Sequence, residues 1–289
     1  MLIMRGPLIL TLFIASLLPE LADGQSFYAI RRERSIMAVF GTGTTHYKGD
    51  LADPKSFNKT QFNILAGIEY PFMKRFSARA ELTYFRLEGD DASSENDERR
   101  DRNLSFFSNN IELTTVGTVS LVPTGARFYQ RSILNFYAFG GVGLLYTNPK
   151  TTRDNGEKVA LQPIQTEGEK YSRFQPVILG GAGIKYMVNP FINICAEIGY
   201  RLSFTDYLDD VSTKRYYDHP DAGYTLTDPL AIELNRRATG EAIVRGNPDD
   251  NDGYLLMNLK MQYYLPYDLG STQRKMYNQK RKAYYRRRR

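Results

Sequence analysis

Residues 191–202 read FINICAEIGYRL. Ile192, Ile194, Ala196, Ile198, Tyr200 and Leu202 share one parity; Asn193, Cys195, Glu197, Gly199 and Arg201 share the other. Successive side chains of a strand point to opposite sides, so this stretch is a strand with one apolar and one polar face. The same alternation runs through 61–70 (QFNILAGIEY), 76–87 and 254–264, and more weakly through 34–45, 104–121, 135–147 and 175–187. That makes eight strands. The connections at 71–75 and 188–190 are short and that at 122–134 is intermediate, whereas 88–103, 148–174 and 204–252 are long, polar and charged. Strands of this length can cross a bilayer at a tilt. Short turns at one end, long loops at the other, and apolar residues facing outward predict an all-β fold: an eight-stranded antiparallel transmembrane outer-membrane β-barrel with long extracellular loops. A soluble sandwich would instead hide its apolar face between two sheets.

Composition agrees. The 289 residues include 21 Tyr, 16 Phe and 23 Gly but no Trp. A mean hydropathy of −0.44 excludes a bundle of membrane-spanning helices. One cysteine, Cys195, excludes a disulfide framework and a Cys-based zinc site, and two histidines leave little for a metal centre. Residues 1–24 carry Arg5, an apolar run from Leu8 to Leu18, and Ala22-Asp23-Gly24. That order is a secretory signal peptide, which exports the chain and leaves 25–265 as the barrel. The net charge of +6 is concentrated in residues 266–289. There Arg274, Lys275, Lys280, Arg281, Lys282, Arg286, Arg287, Arg288 and Arg289 face only Asp268, for a net +8. With an even strand number this tail lies in the periplasm. It reads as a disordered segment, or one that binds acidic partners or anionic lipid. Export argues against nucleic acid as a partner.

The inward parity of the strands carries Glu69, Glu81, Glu112 and Glu197 with Arg79, Lys185, Arg201 and Lys260. Four acids meet four bases, which predicts a charge-balanced plug rather than a channel lining. Asp206, Asp209 and Asp210, beside Tyr207, and the later trio Asp249, Asp250 and Asp252 read as solvated loop rims; calcium is the alternative for the first cluster. The acidic stretch Glu88–Asp101 reads as a mobile, solvated loop. His46 near Asp50 raises the question of a rim enzyme, yet the sequence offers no Ser/His/Asp arrangement and no GxSxG. The expectation is a non-catalytic protein with no cofactor or metal.

Several stretches resemble the PorG-like outer-membrane barrel family of the Bacteroidetes. They are Tyr47-Lys48-Gly49-Asp50-Leu51, Arg102-Asn103-Leu104-Ser105-Phe106, Thr147-Asn148-Pro149-Lys150, Leu161-Gln162-Pro163 and Thr166-Glu167-Gly168. The most specific is Glu197-Ile198-Gly199-Tyr200-Arg201 running into Phe204-Thr205-Asp206-Tyr207-Leu208-Asp209-Asp210-Val211-Ser212. The resemblance spans roughly residues 35–265. It implies an outer-membrane anchor for the periplasmic ring proteins of the type IX secretion system. The family also has members outside that system, so a stand-alone structural barrel or an adhesin-like surface-binding barrel is the alternative.

Overall fold

The computed structural model describes residues 34–52, 60–94, 96–125, 127–153, 155–213, 216, 218, 225–237, 245–248 and 251–266. The expected signal peptide at 1–24 and the basic tail from residue 267 onward lie outside them. Among the described residues ten strands occur: β1 (Met37–Lys48), β2 (Gln61–Pro71), β3 (Phe76–Asp90), β4 (Ser105–Ser120), β5 (Leu134–Tyr146), β6 (Pro149–Thr152), β7 (Lys158–Ala160), β8 (Phe174–Met187), β9 (Ile192–Ser203) and β10 (Gly253–Tyr264). Two short helices, α1 (Asp97–Arg102) and α2 (Pro229–Asn235), lie in the loops.

Eight of these strands form the wall, each antiparallel to its neighbours, in the order β3-β2-β1-β10-β9-β8-β5-β4. Pairing of β3 with β4, from Phe76↔Val119 to Asp90↔Ser105, closes the ring. The fold is therefore the closed eight-stranded antiparallel barrel that the alternation predicts. The remaining two strands form a hairpin laid on the extracellular part of β4, where Phe107 faces Lys150. No sequence signal had marked it.

Faces follow parity. Leu113 and Leu259 point outward and are more than half exposed, whereas Arg79 and Lys260 point inward and are 1% exposed. Outward aromatics gather at both rims. Phe62, Tyr84, Phe174 and Phe204 lie toward the long loops, and Phe40, Phe72, Phe76, Phe136 and Tyr186 toward the short turns. An apolar band between two aromatic girdles is the surface a bilayer requires. Inside, small residues give space to large ones. A Cβ on Gly181 would lie 2.6 Å from the tip of the Phe139 ring, and one on Gly199 2.8 Å from it.

Both ends are stoppered. At the periplasmic end the 121–133 connection places Phe128 against Met37 and Tyr264. Arg131 fastens it, donating to Asn193 Oδ1 (3.0 Å), Asn189 O (3.1 Å) and Pro190 O (3.2 Å). At the extracellular end the long loops fold over a cluster that includes Leu51, Phe85, Leu104, Leu161, Leu208, Val211 and Leu234. In the stretch Glu88–Asp101, Asp97, Glu98, Arg100 and Asp101 are exposed, as its charge suggested, but Asp91 is buried and the described residues hold regular elements. β3 continues to Asp90, and Asn96 caps α1 by accepting from Glu98 N (2.9 Å). Asn103 then ends the helix in the left-handed region at φ 51°. Burying a hydrogen-bonded Asp91–Arg102 pair (2.6 Å) ties this segment to the cap.

The belt makes a direct prediction. Leu259→Arg, in the middle of the outward face of β10, should cost about 2–4 kcal/mol of unfolding free energy in lipid vesicles, and Asn109→Arg, beyond the girdle, about 0–1 kcal/mol. Urea titrations of both variants measure the difference.

Candidate functional site

The lumen holds all eight charges expected there. Arg79 lies at its centre, donating from Nη1 to Glu197 Oε1 (2.5 Å) and from Nη2 to Glu197 Oε2 (3.1 Å), with Glu81 3.3 Å from its Nε. Its guanidinium also faces the Phe139 ring at 5.4 Å. Lys260 Nζ bridges Glu81 Oε1 (2.7 Å) and Glu197 Oε2 (2.5 Å). Toward the periplasm, Glu69 accepts from Ser77 and Gln262 (both 2.6 Å) and lies 3.6 Å from Lys185 Nζ. Toward the outside, Arg201 lies 3.6 Å from Glu112, which also accepts from Tyr254 OH. Each carboxylate thus has a cation and at least one further contact, so charges costly to bury singly offset one another. Cys195 is buried beside this network on the same inward face.

The second constellation is the extracellular cap, and here a sequence expectation is corrected. Asp206, Asp209, Asp210 and Asp252 are all buried rather than forming solvated rims, while Asp249 and Asp250 lie outside the described residues. Long loops can bury carboxylates because their own backbone supplies the donors. Asp209 accepts from Leu51 N (3.2 Å) and Val211 N (3.0 Å). Asp252 accepts from Tyr47 OH (2.6 Å) and Leu208 N (2.9 Å). Asp210 is held at φ 68°, where its carboxylate accepts from the hydroxyls of Thr166 and Tyr171. Tyr207 stacks on Tyr171 with centroids 5.0 Å apart.

Two guanidiniums complete the cap. Arg245 donates to Glu167 (2.7 Å), which also accepts the backbone N–H groups of Ser212 and Thr213. Arg102 holds Asp91 and donates to Asp50 O (2.8 Å). Asp50, Arg102, Glu167 and Arg245 were not among the expected site residues. The first three sit in stretches that carried the family resemblance, and those stretches, scattered along the chain, meet in this cap.

Seven carboxylates (Asp50, Asp91, Glu167, Asp206, Asp209, Asp210 and Asp252) thus face two buried guanidiniums among the described residues. Burial, reinforced by neighbouring carboxylates, pushes Asp206 up to about 8. Burial likewise lifts Asp210 and Asp252 to about 7 and raises Asp209 and Asp50. No grouping of His, Cys, Asp and Glu among the described residues is arranged to hold a metal ion. His46 lies apart on β1, its ring near the Thr60 hydroxyl. The tail residues Arg274, Lys275, Lys280, Arg281, Lys282 and Arg286–Arg289 lie outside the described residues.

Two outcomes are expected. Lys260→Glu places a third carboxylate between Glu81 and Glu197, and should cost the roughly 3–5 kcal/mol of a broken buried pair; chemical unfolding in detergent measures it. In the cap, groups held above their ordinary values keep their protons in the folded state. The stability they lend is complete below about pH 4 and falls away as pH rises through about 7–8. Proteolysis of the 204–213 loop should therefore speed up from about pH 5 to about pH 8. Asp210→Asn, which keeps partners for both hydroxyls without titrating, should flatten that rise.

The chain is similar to several solved outer-membrane proteins. Ail, the attachment invasion locus protein of Yersinia pestis, whose structure was solved in complex with the heparin analogue sucrose octasulfate, is 12% identical. The match covers 80% of this chain and 98% of Ail, with a TM-score of 0.39. OprG from Pseudomonas aeruginosa is 11% identical over 81% of this chain and 98% of its own, also at 0.39. A major outer membrane protein from Thermus thermophilus is 12% identical over 79% and 99%, at 0.38. Scores at this level carry no inference about activity. No curated protein matches the chain. A family model described as a domain of unknown function, DUF6089, matches residues 26–219, well over half of the 289, and this chain therefore belongs to the DUF6089 family.

Proposed function

We propose that this barrel is a non-catalytic outer-membrane anchor for the periplasmic ring proteins of a secretion machine of the type IX kind. The observation that carries the reading is the charge of the periplasmic end. Arg34, Lys74, Arg75, Arg127 and Arg131 lie there, and the described segments 34–36, 72–75, 121–125, 127–133, 188–191 and 265–266 contain no Asp or Glu. The β2–β3 turn is also fixed to the β4–β5 connection, Lys74 O accepting from Thr124 N (2.7 Å) and Arg75 O from Ser120 N (2.8 Å). Lys74 and Arg75 therefore project from a braced platform. Such a surface suits an acidic protein partner, steering it at long range and fixing its register. The basic tail would add to the same field. A filled, charge-balanced lumen supports a role in holding rather than conducting. The alternative, a surface-binding barrel, draws its support from the folded extracellular cap.

Replacing Lys74, Arg75 and Arg127 with Glu should leave the barrel inserted, as judged by its gel shift on boiling, while weakening cross-linking to secretion-ring proteins about tenfold or more. Raising salt should mimic this, because exposed charges are screened beyond about 8 Å at physiological ionic strength. Unchanged cross-linking and secretion in the triple variant would refute the anchor.

A further inference from the structure

A second charged surface lies at the other end of the wall, on the outward face just beyond the extracellular girdle. Tyr84 is the last outward aromatic of β3, and Arg86 follows it on the same face, about 7 Å further along the strand. Across the sheet, Glu88 faces Phe107 of β4, and Phe107 faces Lys150 of β6. The β6–β7 hairpin turns Val159 toward the cap core and leaves Lys158 on the outer side. Two cations therefore flank one outward phenyl ring, and a third, Lys150, is its cross-strand partner. The Arg86 guanidinium lies 4.6 Å from the Phe107 centroid and Lys158 Nζ 5.4 Å from it, with Lys150 next to Phe107 in register. The carboxylate in this row, Glu88, is engaged by Arg86 (3.2 Å) and Gln61 (3.1 Å). Glu157, beside Lys158 in sequence, turns to Arg153 (2.9 Å).

We propose that Arg86, Lys150 and Lys158 form a binding site for the phosphate groups of the glycolipid in the outer leaflet. The height is right, because the patch continues the lipid-facing surface of β3 and β4 at the level where acyl chains give way to headgroups. The chemistry is right as well. Arg offers planar paired donors to a phosphate, Lys a compact charge, and Phe107 an apolar floor that keeps both cations raised toward the membrane. The site is independent of the periplasmic partner and does not rest on the anchor reading.

The full-length protein in phosphatidylcholine nanodiscs doped with bisphosphorylated lipid A tests this, with retained lipid counted by native mass spectrometry. Parallel discs carry dephosphorylated lipid A or phosphatidylglycerol. Wild type should retain phosphorylated lipid A in preference to both. Lys150→Gln with Lys158→Gln, on a hairpin outside the barrel wall, should lower retention about tenfold or more, and Arg86→Gln alone several-fold. Changing the two lysines to Arg instead should restore it. Variants that still shift on boiling yet retain wild-type amounts would overturn the proposal. So would a wild type that holds phosphatidylglycerol or the dephosphorylated lipid equally well.

Discussion

A bilayer interior offers no partner to a backbone N–H or C=O, so a sheet can cross it only by having no edge. In this protein the pairing of β3 with β4 removes the last edge. These are among the longest strands of the wall, and their register continues past the membrane to Asp90↔Ser105. That overhang is where the β6–β7 hairpin attaches and where the extracellular cap finds its first support. Closure also fixes which residues must share the lumen. Arg79 on β3, Glu197 on β9 and Lys260 on β10 meet only because the sheet has been rolled into a cylinder.

Charge is distributed along the barrel axis in three zones. The periplasmic end is basic, the lumen is balanced, and the cap is rich in acid. Each zone solves a different physical problem. Lumen charges pair with one another, helped by hydroxyl and amide donors such as Ser77, Tyr254 and Gln262. Cap carboxylates lean on backbone N–H groups, hydroxyls and retained protons. At the periplasmic end Arg131 leans on backbone carbonyls, while Lys74 and Arg75 face water.

The wall was legible in the sequence because one face must suit lipid and the other a filled interior, and that demand writes a period of two into every strand. The parity of 191–202 placed Glu197, Arg201 and Cys195 inside, where they are found. The cap was not legible for a related reason. Its residues are buried by contacts between distant segments, such as Tyr47 with Asp252 and Asp50 with Asn247, and no local period encodes these. A run such as Asp206–Asp210 looks solvated until its backbone partners are known. Asp50, Arg102 and Glu167 show the same, lying far apart in the chain and meeting only in the folded cap.

Lys260 has one more consequence, which concerns time. It lies on β10, the last in chain order of the described strands, while the carboxylates it neutralises lie on β3 and β9. Until β10 arrives, Glu81 and Glu197 have Arg79 as their shared cation, and the sheet between β1 and β9 is open. A nascent or truncated chain lacking β10 is therefore deficient twice, in hydrogen bonds along its edge and in positive charge at its centre. Long-range pairing of this sort is slow to form, and here it makes completion of the polypeptide a condition for a neutral interior.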